Sequence, residues 1–191
     1  MNTAEPCIYC ASGAGTTRDH IPPSCFFDEK PNPPIIAPCC EGCRIADQAH
    51  DEFARNLFTS LLNTESEAPG KVAETRDRSY KRAPAKLGKL ASITTVTPLG
   101  PAFDLNDARI DRFLERVGRA VLWDAYRQGY FEGKCQWKLA PAELDIVFTQ
   151  TVSGGLKRRY VSMIFAYVAS PEYIMLQFYK RLTMALHFKR L

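Results

Sequence analysis

No stretch of this 191-residue chain is apolar for long enough to cross a bilayer. The most apolar one, Val161 to Leu176, is broken by Ser170, Pro171 and Glu172, where about 20 uninterrupted residues would be needed. The opening MNTAEPCIYC has neither a basic start nor an apolar run, so a secretory leader is not expected and a cytoplasmic location is. Phosphate-binding glycine loops are missing as well. There is no Gly-x-x-x-x-Gly-Lys, and Gly13-Ala-Gly15 lacks both a third glycine and a long strand before it. Charge of one sign is scarce: 25 Lys+Arg against 21 Asp+Glu leave a net charge of +4. Such an excess is compatible with a phosphate-bearing partner but does not demand one. With 46% hydrophobic residues the chain can bury a core, which excludes wholesale disorder.

Cysteine is the residue present in an unusual pattern. Six of the seven cysteines fall within the first 43 residues, and only Cys135 lies beyond. An odd number, clustered locally, speaks for a metal site in a reducing compartment rather than for a disulfide framework. Cys7-Ile-Tyr-Cys10 and Cys40-Glu-Gly-Cys43 are two Cys-x-x-Cys knuckles. Each bends the backbone so that two thiolates face one ion, and the pair completes the tetrahedral shell of a structural zinc. Cys39 would break the second knuckle, so Cys40 is the expected ligand.

The chain reads as an α+β protein in three parts. Residues 1–63 hold the cysteines and then a helix, with Ala46, Ala49, Phe53, Leu57 and Leu61 at helical spacing. Residues 64–92 carry seven basic residues between Lys71 and Lys89, interrupted by Pro84 and Gly88, and are expected to be an exposed, at most partly helical linker. Residues 93–191 form an α+β unit. Its strand candidate Ile93–Thr97 precedes a long helix over Asp104–Tyr130, which Asp104 or Asn106 would cap and Gly129 or Gly133 would end. Arg159–Val168, Tyr173–Lys180 and Leu182–Phe188 are expected as strands of a C-terminal antiparallel sheet.

Between the knuckles lies Thr17-Arg-Asp-His-Ile-Pro-Pro23. A carboxylate directly before an imidazole suits metal-assisted hydrolysis, in which the carboxylate holds a divalent cation and the imidazole takes a proton from water. Knuckle, Asp19-His20, and a second knuckle that opens a helix resemble, in that order, the zinc-containing branch of the HNH endonucleases. The likeness covers about residues 5–58; a fainter one links the later helix and the Phe/Tyr-rich strands to uncharacterised bacterial HNH-like proteins. It implies a treble-clef zinc finger bearing a ββα-metal motif. Carried over, it makes His20 the general base and Asp19 a ligand of a catalytic Mg²⁺ or Mn²⁺. Cys7, Cys10, Cys40 and Cys43 become the ligands of a separate structural zinc.

One position departs from the family. Asn commonly follows the last cysteine, where this chain has Arg44; a guanidinium has no lone pair for a cation. Asp47, with His50 or Asp51 one turn on, would then rebuild the ion's ligand set, while Arg44 and Arg18 would hold the substrate phosphate. The expected activity is hydrolysis of nucleic-acid phosphodiesters, with DNA the first candidate. The alternative is a catalytically lapsed zinc module that binds nucleic acid or protein. No membrane partner is expected.

Overall fold

The computed structural model describes residues 5–11, 14–29, 31, 33–62, 70–98, 100–127, 133–139, 156–162 and 164–190. An antiparallel hairpin of β1 (Thr17–Ile21) and β2 (Ile35–Cys39) leads directly into α1 (Glu41–Leu61). Ser24–Phe26 makes a single 3-10 turn between the strands. The helix starts earlier than its apolar stripe suggests because Cys40 caps it: the sulfur accepts the Cys43 N–H at 3.5 Å. Cys43 therefore sits in the first turn and not ahead of it.

The segment expected as a linker is helical. α2 (Gly70–Arg82) and α3 (Pro84–Ala91) follow one another, and Pro84 divides them where a missing N–H costs nothing, at the start of a helix. Residues 63–69, between α1 and α2, lie outside the described residues. Both helices are fastened to α1. Ser79 and Lys86 bond Glu52 at 2.6 and 2.7 Å, Arg76 donates to the Thr59 carbonyl at 2.9 Å, and Val72 and Leu90 turn inward. Most of the basic run is exposed, as its charge pattern predicts. What the charge pattern hid is the few apolar and polar anchors on the inner face.

The expected strand after α3 is one half of a hairpin, β3 (Thr94–Thr97) with β4 (Gly100–Phe103). α4 (Ala108–Tyr126) is capped by Asp107, whose carboxylate accepts the Arg109 N–H at 2.8 Å, rather than by Asp104 or Asn106. It stops at Arg127, a left-handed residue (φ 54°). Gly133 instead begins β5, and Gly129 lies outside the described residues. The C-terminal sheet holds β5 (Gly133–Leu139), β6 (Lys157–Ser162), β7 (Phe165–Ala169), β8 (Tyr173–Phe178) and β9 (Leu182–Arg190) in the order β5-β9-β8-β7-β6, all antiparallel. The run Arg159–Val168, read as one strand, is two strands of a hairpin.

α4 is the element that joins the halves. One side meets α1 and the β1–β2 hairpin, and the other meets the sheet. Phe26, Phe58, Phe113 and Phe178 come from the 3-10 turn, α1, α4 and β8, and their ring centroids lie 5.1 to 6.1 Å apart. One hydrophobic core thus crosses from the cysteine-rich end to the sheet. Arg159 ties them again, pairing with Asp124 at 2.6 Å and donating to the Pro33 and Pro34 carbonyls at 3.2 Å.

Candidate zinc centre and adjoining cleft

The two knuckles converge. The sulfurs of Cys7, Cys10, Cys40 and Cys43 all lie within 4.8 Å of one another, and those of Cys10 and Cys40 are 3.8 Å apart. A tetrahedral zinc with bonds of about 2.3 Å sets its sulfurs roughly 3.8 Å apart. The donor set and its spacing fit a metal such as zinc. Burial and neighbouring sulfurs push the Cys43 thiol far above its ordinary pKa, so a cation is what would let four thiolates share this volume. Cys39 stands apart: buried, it donates to the Cys40 carbonyl at 3.1 Å.

Beside this centre, β1, α1 and α4 enclose a cleft of about 330 Å³. β1 alternates, so Arg18 and His20 are exposed while Asp19 is buried. Three carboxylates meet below the cleft: Asp19 from β1, and Asp47 and Asp51, one turn apart on α1, all buried. Their common partner is Arg116 of α4. Its guanidinium bonds both Asp19 oxygens, at 2.6 and 2.9 Å, and both Asp51 oxygens, at 2.6 Å. Asp47 lies 3.7 Å away from it and is bonded by Arg112 at 3.0 Å. The Tyr9 hydroxyl donates to Asp19 at 2.6 Å. Burial and the Asp19 carboxylate hold that phenol well above its ordinary pKa.

This polar network leaves Asp47 Oδ2 without a hydrogen bond among the described residues, and its members only partly match the expected ion site. Asp19, Asp47 and Asp51 do share a face, as i, i+4 spacing along α1 requires. His50 does not join them; it lines a separate pocket with Tyr80, Leu90 and Arg109. Among the described residues, the only group of three or more His, Cys, Asp and Glu side chains close enough to share one metal ion is the four cysteines. The Asp19 carboxylate meets a guanidinium where the sequence suggests a divalent cation. As arranged, the residues expected around a catalytic Mg²⁺ or Mn²⁺ do not fit one.

No protein-family model, curated protein or solved structure matches the chain. The reading of the cleft therefore rests on its own chemistry. Arg18, Arg44 and His20 line the rim. Arg44 is held by Glu41 through Nη2 and through Nε at 2.9 Å. Cys25 also lines the cleft, but burial pushes its thiol up to about 12, which leaves it protonated and poorly nucleophilic near neutrality. On the far side of Glu52 and Arg55 a second groove continues with Arg78, Arg82 and Lys86. Arg116 was invisible to motif reasoning, yet a signal was present. Arg109, Arg112, Arg116 and Arg119 repeat at the same three- and four-residue spacing as the apolar stripe of α4.

Proposed function

We propose that this chain is a nucleic-acid-binding protein built on an HNH-endonuclease-like zinc module, with Arg116 standing among the carboxylates that a catalytic ion would need. One observation carries the reading: both oxygens of Asp19 are spent on Arg116. Freeing them would break a buried ion pair and leave Asp19 with Tyr9 as its hydrogen-bond donor and Arg116 with Asp51, which is expensive. Arg44 in the place of the family's Asn points the same way. The cations of the two grooves suit a polyanion. Arg18 and Arg44, the latter held by Glu41, lead past the buried Arg55 to Arg78, Arg82 and the Glu52-paired Lys86 of the adjoining groove. Such a track holds a phosphodiester backbone largely through counterion release.

A second reading, a divalent-metal-dependent nuclease with His20 as the base, is favoured by the exposure of His20 on the same cleft, next to Asp19. It requires Arg116 to release Asp19. The experiment that separates the two joins binding to cleavage. Zinc-loaded protein is titrated into labelled duplex at two salt concentrations, then incubated with supercoiled plasmid and Mg²⁺ or Mn²⁺ beside His20→Ala and an EDTA control. Salt-sensitive binding without nicking is the expected result. Nicking that needs the added metal and is lost in His20→Ala would favour the nuclease. No binding to duplex or single strands would overturn both.

A further inference from the structure

The face of α1 turned away from Arg116 borders a pocket that neither the zinc centre nor the acidic network uses. Its volume is about 210 Å³, below the roughly 300–1,000 Å³ of sites for drug-sized ligands and suited to one planar ring system. The lining is mainly apolar, with Phe53 and Leu90 on its inner wall. Over the Phe53 ring lies the Arg109 guanidinium, 3.6 Å from the centroid, fixed from behind by Asp107 at 2.8 Å. A guanidinium locked in this way is a flat stacking platform for a heteroaromatic ring.

Two buried polar atoms in this lining have no protein partner: His50 Nδ1 and the Tyr80 hydroxyl. Ser60 neighbours Tyr80 and donates to the Asn56 carbonyl at 2.8 Å. Buried polar atoms are normally satisfied, so two unpaired ones on residues that line one cavity suit a ligand with a hydrogen-bonding edge, reached by a small side-chain adjustment. Lys89 adds a cation that makes no salt bridge among the described residues. Stacking plane, hydrogen-bonding edge and cation are the three features that recognise a nucleotide.

The pocket also adjoins the basic track. Glu52 and Lys86 line both it and the groove of Arg55, Arg78 and Arg82. We infer that this pocket seats one nucleobase of a nucleotide, with its phosphate beside Lys89. The nucleotide is either free or part of a single strand whose backbone continues along the basic groove. The single-strand form rests on the nucleic-acid-binding reading above; the free form does not.

The test plugs the pocket from its exposed rim. Ala49→Phe fills the cavity at a surface position of α1, and Tyr80→Phe removes only the hydroxyl. The zinc-loaded 191-residue chain is titrated with a labelled dT12 strand, with a duplex of the same length and, by calorimetry, with dTMP. Arg82→Ala serves as the groove control. Ala49→Phe is expected to weaken dT12 at least tenfold and duplex less than twofold, with Tyr80→Phe weakening dT12 about threefold to tenfold. Arg82→Ala is expected to weaken both nucleic acids. If the wild type binds DNA and Ala49→Phe changes nothing, the pocket proposal is overturned while the binding function stands. If no DNA binds but dTMP does, and Ala49→Phe abolishes it, the pocket stands as a free-nucleotide site and the function does not. Binding of none of the three overturns both.

Discussion

Arg116 on α4 grips Asp19 on β1 through two nitrogens, across 97 residues of chain. The pair is almost wholly buried, with side-chain exposures of 4% and 8%. It therefore fixes how the long helix seats on the cysteine-rich hairpin. Removing one partner of a buried ion pair leaves the other uncompensated, at a cost of about 3–5 kcal/mol. Arg116→Ala should lose about that much in urea denaturation. Arg116→Lys should recover only part, because an ammonium with three donors cannot reproduce the guanidinium's contacts to both oxygens of two carboxylates.

Asp51 makes the same network sensitive to acid in an unusual direction. Burial raises its carboxyl to about 6, against the opposing pull of Arg116 and with help from Asp19 and Asp47. The folded protein then binds this proton more tightly than the unfolded chain does. Stability from this group is present below the unfolded value near 4 and is lost as pH rises through about 6. The swing amounts to about 3 kcal/mol. Urea midpoints measured from pH 4 to 7 should fall across that window, and Asp51→Asn should flatten the fall. A slope unchanged by the substitution would place the proton elsewhere.

Zinc should be stoichiometric and structural. Purified protein is expected to carry one zinc per chain by atomic absorption, and Cys10→Ser or Cys43→Ser to carry much less. Chelation should lower the melting temperature and loosen the β1–β2 hairpin first, since metal binding and folding are one process in such sites. Cys39→Ser, outside the ligand set, should keep its zinc.

Gly118 lets α4 sit directly against β9. A Cβ there would stand 2.5 Å from the Phe188 ring and 2.8 Å from Leu186. Glycine inside a helix costs about 1 kcal/mol relative to alanine, and here it admits β9. Gly118→Ala should nonetheless destabilise by about 1–3 kcal/mol, the usual cost of overpacking. Gly42, with open space around it, is the matching control, where alanine should be neutral or better.

The sequence made the local features of this protein legible and left the long-range ones dark. Cysteine spacing selects the four converging sulfurs, and even Cys40 over Cys39, because a metal knuckle is a property of four consecutive residues. Apolar periodicity gives α1 and α4 for the same reason. The α2–α3 pair escaped because its contacts with α1 run through Glu52, Ser79 and Lys86, which look like surface residues when taken singly. β5 carries little apolar signal, with Lys138 and Gln136 exposed among its residues, and β6 merged with β7 because no glycine or proline separates them. Arg116 lay furthest out of reach. What gives it meaning is its distance in space from Asp19, and spacing along the chain does not encode that.

The joining role of α4 also sets an order of events during synthesis. A ribosome adding about 5–20 residues per second takes roughly 5–20 s to make the 97 residues from Asp19 to Arg116. Cys43, the last of the four cysteines, follows Asp19 by only 24 residues, so for most of that interval all four are made and free to capture a metal. The carboxylates of β1 and α1, by contrast, remain hydrated and mutually repelling until the later half of the nascent chain delivers its arginine.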